Sequence, residues 1–269
     1  MTAIDARPAP AAPAVPLAVR ARDVLTSEWT KLRTVRSTHV TMLVAVVTPI
    51  GLSALVAVTL VNAPRNGPPV DPLLPGLLSQ EYAVLAVGVL GVLAFSSEYG
   101  TGLIRTTFAS VPRRRAVLAA KAAVIGALTL VAGELVAFVS FALVQAVLSG
   151  HHLSVSLSHP GVAGAVLATG LLLFVVAIMG LGLGAIVRHT AGGIAALVGL
   201  IFLPAILGLL PAPWGGRVGR FTLLDAARQV TALHPAANLF GPAASLVVLL
   251  AWPALTLLVA AVVITRRDA

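Results

Sequence analysis

The stretch from Ser96 to Lys121, SSEYGTGLIRTTFASVPRRRAVLAAK, decides how the rest of the chain is organised. It is a charged, amphipathic interruption between two long apolar runs. Its apolar side chains recur with helical spacing on one face, at Leu103, Ile104, Thr107, Phe108 and Val111. The stretch therefore predicts a short helix at the surface of a membrane protein, placed where a soluble partner could dock.

The composition of the whole chain agrees with a membrane location. Its 269 residues are 58% hydrophobic and only 10% charged, and the mean hydropathy is +1.01. Such values are typical of polytopic membrane proteins. Six apolar runs reach the roughly 20 residues that a helix needs to cross a bilayer. Because lipid-exposed backbone must be paired internally, we expect an all-α fold whose spans cover about 40–61, 73–95, 116–148, 161–187, 191–210 and 243–264.

The distribution of Lys and Arg predicts the orientation of these spans. With both termini in the cytoplasm, fourteen basic residues lie inside and four lie outside, namely Arg65, Arg217, Arg220 and Arg228. The net charge of +9 then favours contact with anionic lipid over nucleic acid. One boundary stays open, because residues 188–190 form either a hairpin between two spans or a break in one long element.

Two segments precede the six-span domain at 40–264. Residues 1–22 are rich in Ala and Pro, which predicts a disordered arm. Residues 23–38 predict an amphipathic helix in the membrane interface, with an apolar face at Leu25, Trp29, Leu32 and Val35 and with Glu28, Lys31 and Arg33 elsewhere. Such a helix serves as a topological anchor or as a mechanical lever.

The segment 96–115 adds a basic run to its amphipathic helix. Gly100 and Gly102 release the chain from the second span, and Pro112 ends the short helix. Arg113, Arg114 and Arg115 then begin the third span, where cations oppose the helix dipole and need lipid phosphate or another anion nearby. An exposed apolar face that includes Phe108 needs headgroups or a protein groove, and we favour the groove.

These residues resemble a known family. Glu98, Gly100, Thr101, Pro112 and Arg113 to Arg115 look like the loop between the second and third spans of type-2 ATP-binding-cassette (ABC) exporter permeases. Residues 27–33, SEWTKLR, are similar to the elbow helix of bacterial members. The resemblance implies a dimer with itself or with a paralogous permease, and a coupling helix that seats on a separate ATPase subunit. The implied coupling residues are Glu98, Gly100, Gly102, Leu103, Ile104, Arg105, Phe108, Pro112, Arg113, Arg114 and Arg115.

The motifs that the chain lacks agree with this division of labour. No G-x-x-x-x-G-K-[ST] phosphate loop is present, so ATP and Mg²⁺ are expected on the partner. There is no cysteine, no H-E-x-x-H pair and no G-x-S-x-G elbow, so we expect neither a metal site nor an enzyme. Gly180, Gly182 and Gly184 are interpreted as small residues for close helix packing, against a sister subunit or a neighbouring helix of the same chain.

Two acidic residues within the apolar runs, Glu81 and Glu134, are candidates for the transport path. A structural role at a water-filled vestibule explains them equally well. The external stretch 211–242 predicts two short helices that close an exit, or a folded cap without a role in transport.

We therefore expect a permease subunit of a bacterial ABC exporter in the plasma membrane, with a hydrophobic or amphipathic substrate such as a drug, antibiotic or lipid. The alternatives are an ion-coupled secondary transporter that uses Glu81 and Glu134, and a membrane scaffold that transports nothing.

Overall fold

The computed structural model describes residues 20–62, 71–207, 210, 214–233, 236 and 239–267. Most of the predicted N-terminal arm and Arg65 lie outside these ranges. The described residues form helices and no strand. The helices are α1 (Ala21–Thr34), α2 (Arg36–Val61), α3 (Leu74–Gly100), α4 (Leu103–Ser110), α5 (Arg114–Ser149), α6 (Val162–Val187), α7 (Thr190–Ile201), α8 (Leu203–Leu207), α9 (Trp214–Gly219), α10 (Leu223–Thr231) and α11 (Pro242–Arg266).

Among the residues that the structure describes, five helices are long and apolar enough to cross a membrane: α2, α3, α5, α6 and α11. The expectation of an all-α protein with several spans is confirmed at this level. The longest is α5, whose 36 residues extend for about 54 Å at 1.5 Å per residue. That length exceeds the roughly 30 Å of a bilayer's hydrocarbon layer.

Helix α6 forms the centre of the molecule, with α3, α5, α7, α10 and α11 packed around it. Its sequence is apolar on every side, and 19 of its 26 residues are buried. A helix that is apolar all round has no face suited to water, so the central position follows from its composition. By contrast, α2 and α11 lie at the periphery and expose much of their apolar surface, as lipid-facing helices do.

Glycines allow α6 to approach α3 closely. A Cβ atom at Gly180 would collide with the carbonyl oxygen of Gly88, and one at Gly184 would lie 2.5 Å from the carbonyl oxygen of Val92. Gly182 faces Thr256 of α11 in the same way. The question left open by the sequence is thus answered for these three glycines, because their close neighbours belong to the same chain.

The segment predicted as the fifth span, 191–210, does not form one long helix. The 12-residue α7 ends at Ile201, and the chain is interrupted at Phe202 before the short α8. Pro204 explains the interruption, because it has no N–H to donate to the carbonyl of Leu200. A single continuous helix over 191–210 is therefore wrong, although α7 and α8 follow one another directly.

The described part of the segment between α8 and α11 contains two short helices, α9 and α10. Gln229 of α10 makes hydrogen bonds to the chain that follows it. Its side chain donates to the carbonyls of Ala236 and Phe240 and accepts from the amide of Ala236. Trp252 of α11 donates its indole N–H to the carbonyl of Phe221. These bonds hold α10 against α11.

Side-chain contacts bring several helix ends together at one end of the bundle. Arg114, at the start of α5, donates to the carbonyls of Ile264 and Arg267 at the end of α11. Arg188, which follows α6, also donates to the carbonyl of Arg267. We call this the basic end, since the exposed arginines around it include Arg33, Arg36, Arg105, Arg113, Arg115, Arg266 and Arg267.

Candidate functional site

Four charged side chains meet inside the basic end and form what we call the junction cluster: Glu28, Lys31, Glu98 and Lys121. Lys121 Nζ lies 2.6 Å from Glu28 Oε2 and 2.6 Å from Glu98 Oε1. Lys31 Nζ lies 2.8 Å from Glu28 Oε1 and 2.9 Å from Glu98 Oε1. Each lysine therefore bridges both glutamates, and the cluster joins α1, α3 and α5.

The three helices position these side chains in different ways. Glu28 and Lys31 are three residues apart on α1, so they lie on the same helix face. Glu98 belongs to the last turn of α3, just before the chain turns into α4. Lys121 lies two turns into α5. The cluster thus connects the helix before the first span to both helices that flank α4.

Burial makes the junction cluster important for the fold. Glu28, Glu98 and Lys121 are only 4%, 6% and 3% exposed, whereas the Lys31 side chain is 38% exposed. Two positive and two negative charges balance each other, which is the condition under which buried ions are tolerated. Removal of one member leaves an uncompensated charge inside the protein.

The environment of Lys31 also affects its titration. Partial burial alone would lower the pKa of Lys31, but hydrogen bonds and attraction to Glu28 and Glu98 outweigh burial and raise that pKa above its ordinary value of 10.5. A lysine whose pKa rises on folding stabilises the fold at every pH below its unfolded pKa, and it loses this contribution as the pH rises through the folded value. The contribution of Lys31 is therefore complete at neutral pH.

Helix α1 differs from the amphipathic helix that the sequence predicts. Trp29 and Leu25 of the predicted apolar face are exposed, as expected for an interfacial helix, and Leu32 packs against the core. Glu28 and Lys31, however, were expected away from this apolar face. Glu28 is instead buried, at 4% exposure, because it pairs with Lys121 and Lys31, while the partly exposed Lys31 also pairs with Glu98. Arg33 stays exposed.

Helix α4 is the short helix predicted between the second and third spans, and it spans Leu103–Ser110. It begins after Gly102, whose φ of 73° is a left-handed conformation that favours glycine. A Cβ at Gly100 would meet no atom within 4 Å, so no close contact requires a glycine there. The break between α3 and α4 is thus confined to Thr101 and Gly102.

The apolar face of α4 points inward. Ile104 is 2% exposed and Phe108 is 9% exposed, and both belong to the main core. The guanidinium of Arg114 lies 5.2 Å from the centre of the Phe108 ring. An exposed apolar face that includes Phe108 is therefore wrong, because the ends of the spans supply the apolar groove within the same chain. The outer face of α4 presents Leu103, Arg105, Thr106 and Ala109.

The basic run after Pro112 divides into two roles. Arg114 is half-buried and caps the carbonyl end of α11, where a cation is favoured by the helix dipole. Arg113 and Arg115, like Pro112, are exposed. Only these two arginines of the run are therefore available to lipid phosphate or to another molecule.

The two acidic candidates for a transport path have different surroundings. Glu81 Oε1 accepts from Arg228 of α10 at 2.6 Å, and both side chains are substantially exposed. Glu134 of α5 packs against Gly170 of α6, and its Oε2 atom is buried without a hydrogen-bond partner among the described residues. Glu81 is thus part of an ion pair at the surface, whereas Glu134 stays a candidate.

Lys121 is the member of the junction cluster that the sequence analysis missed. It lies near the start of an apolar run, and it was counted only as a topological charge. An ionisable residue inside a span is a functional candidate by default, so the signal was present in the sequence. Within the described ranges, no group of three or more His, Asp or Glu side chains could hold a metal ion.

Comparison of the chain with models of known protein families finds no match, and comparison with curated proteins finds none either. The function must therefore be argued from the arrangement of α1, α3, α4 and α5.

Proposed function

We propose that the chain is the permease subunit of a bacterial ABC exporter, with α4 as the coupling helix that seats on a separate ATPase subunit. The observation that best supports this proposal is the way α4 is held. Its inner face is fixed to the spans by Ile104 and Phe108, while its outer face, with Leu103 and Arg105, is exposed. A partner that binds the outer face can therefore displace the spans rather than only the loop.

The junction cluster links α4 to neighbouring helices, so a displacement of α4 can move them too. Glu98 lies one turn before α4 begins, and its carboxylate accepts from Lys31 of α1 and from Lys121 of α5. Because breaking a buried ion pair costs several kcal/mol, the three helices move together at this point. ATP-driven movement of the partner would thus tilt α3 and α5 and carry α1 with them.

The remaining features of the proposal follow the sequence. With the basic end in the cytoplasm, the positive-inside rule is satisfied, and α7 with α8 forms an interrupted fifth span that completes a six-span subunit. Two such subunits, identical or paralogous, enclose a path for a hydrophobic or amphipathic substrate. ATP and Mg²⁺ bind to the partner ATPase.

One observation favours a second candidate function. The unpartnered Oε2 atom of Glu134 fits a carboxyl group that takes up and releases a proton, as in an ion-coupled secondary transporter. Glu81 fits this role less well because Arg228 already pairs with it. Under this alternative, Glu134→Gln and collapse of the proton gradient abolish transport, while changes on the outer face of α4 have no effect.

Co-purification from native membranes, followed by an assay of ATP hydrolysis, tests the proposal. Wild-type protein should bring down an ATPase. Leu103→Asp and Arg105→Glu should each reduce the recovered ATPase activity by about tenfold or more, because they place acidic groups on the docking face.

Arg33→Glu is the matched control, since it makes the same change of charge at an exposed position of the basic end but on α1. It should retain the ATPase. The proposal fails if wild type brings down no ATPase, or if Arg33→Glu and Arg105→Glu lose it equally.

A further inference from the structure

A cavity of about 310 Å³ lies beside the junction cluster, between α1, α2, α3 and α5. Its lining is amphipathic along the length of α3. Glu98, Ser97 and Thr101 line it at the basic end, and Leu90 lines it eight residues, or about 12 Å, deeper in the span. On α5, Lys121 is likewise followed by the deeper Val124 and Ile125.

The volume of the cavity suits a small ligand rather than a single water molecule. Small-molecule sites in proteins usually occupy about 300–1,000 Å³ and combine apolar walls with a few polar groups. This cavity has both features, with its polar groups gathered at one end. It therefore has the shape expected of a site for a compact amphiphile, with the head at the basic end and the tail against Leu90.

The hydrogen bonds around the cavity determine which head it can accept. Glu98 Oε1 accepts from both lysines, but Glu98 Oε2 is buried and has no hydrogen-bond partner among the described residues. The hydroxyl of Ser97 donates to the carbonyl of Leu93, and that of Thr101 donates to the carbonyl of Ser97. These hydroxyls retain only lone pairs for a ligand.

The two lysines have each committed two of their three N–H donors. Each ammonium group donates to both glutamates, and Lys121 Nζ also lies 5.8 Å from the centre of the Phe95 ring. Among the described residues that line this cavity, Glu98 Oε2 is the buried polar side-chain atom without a hydrogen-bond partner, and a carboxylate oxygen needs a donor. A protonated amine satisfies a carboxylate oxygen better than a neutral donor does.

We propose that this cavity binds single-chain amphiphiles with a protonated amine head, which donates to Glu98 Oε2, Ser97 and Thr101 while the tail contacts Leu90, Leu93 and Ile125. This inference rests on the proposed function in one respect, because it names the class of substrate that the exporter would carry. The binding site itself requires neither ATP nor a partner.

Equilibrium dialysis of dodecylamine and dodecyl sulfate against lipid nanodiscs that contain the protein tests the inference, with empty nanodiscs subtracted. The two probes share one tail and carry heads of opposite charge. Wild type should bind dodecylamine at least about tenfold more tightly than dodecyl sulfate. Equal binding of the two probes would overturn the proposal.

Glu98→Gln is the most direct variant, because it replaces a carboxylate acceptor with an amide of the same shape. It should weaken dodecylamine binding by about tenfold or more. Glu81→Gln makes the same change at the opposite end of α3, beside the exposed Arg228, and should leave the binding unchanged. Unchanged binding to Glu98→Gln contradicts the inference.

Because Glu98 also belongs to a buried ion cluster, a second variant leaves the charges intact. Leu93→Trp fills the apolar part of the cavity and should also reduce dodecylamine binding, whereas a ligand bound elsewhere would not respond. If the amine binds as expected but no ATPase accompanies the chain, the binding site stands and the exporter proposal fails. If an ATPase accompanies the chain but the amine does not bind as expected, the exporter proposal stands and this inference fails.

Discussion

At the scale of single residues, Lys121 is the centre of the junction cluster. It is almost fully buried and contacts both Glu28 and Glu98 at 2.6 Å. The Lys121→Met substitution keeps much of the side-chain length but removes the charge. The two buried carboxylates of Glu28 and Glu98 then share a single cation of the cluster, Lys31. We expect a loss of about 3–5 kcal/mol in the free energy of unfolding, measured by titration with SDS in mixed micelles.

Two further variants separate charge from packing in this experiment. Arg113→Met removes an exposed cation at the same end of α5, and the free energy of unfolding should change by no more than about 0.5 kcal/mol. Adding Glu98→Gln to Lys121→Met removes one of the uncompensated charges and should recover part of the loss. If Lys121→Met is as mild as Arg113→Met, the cluster does not stabilise the fold.

The junction cluster also shows how far the sequence predicts a site. Glu28, Lys31 and Glu98 were identified as site residues, because they lie in segments with a recognisable pattern. Their mutual contacts were not predicted, since Lys121 is 93 residues from Glu28 and 23 from Glu98. Helical periodicity assigns a residue to a face of its own helix, and it carries no information about what another helix places opposite that face.

At the scale of helices, the packing of α6 on α3 depends on glycine. An added methyl group at Gly184 would lie 2.5 Å from the carbonyl oxygen of Val92, and backbone cannot yield as a flexible side chain does. Gly184→Ala should therefore destabilise the protein by about 1–3 kcal/mol in the same SDS titration, despite the higher helix propensity of alanine.

Gly51→Ala is the matched control for this helix contact. Gly51 lies in α2, another span, and a Cβ atom there would meet nothing within 4 Å. This variant should keep or slightly increase the free energy of unfolding. Equal effects of the two substitutions would mean that α3 and α6 do not approach each other as closely as described.

Two helices show where prediction from sequence succeeds and where it fails. The existence of α4, with its start at Leu103 and its end before Pro112, followed from spacing and from glycine and proline. The inward orientation of its apolar face was not predicted. An amphipathic pattern identifies the apolar face of a helix, but it does not show what that face packs against. For the fifth span, Pro204 was visible in the sequence, but total hydropathy over 191–210 concealed the interruption between α7 and α8.

At the scale of the whole molecule, the orientation in the membrane can be tested cleanly because the chain contains no cysteine. Arg115 at the basic end and Arg217 on α9 are both exposed, so each can be replaced by a single cysteine that a reagent can reach. On intact cells, a membrane-impermeant maleimide should label the Arg217→Cys variant and not the Arg115→Cys variant. After permeabilisation, both should react, and the reverse pattern on intact cells would contradict the proposed orientation.

The proposed function requires that the outer face of α4 contacts an ATPase in the native membrane. The most direct measurement uses Arg105→Cys that carries a benzophenone maleimide, with Arg217→Cys labelled in the same way as the control. After irradiation of native membranes, position 105 should form a covalent adduct with an ATP-hydrolysing subunit, and position 217 should form none. Absence of that adduct from position 105, with the chain inserted and ATP supplied, would mean that α4 does not dock on an ATPase.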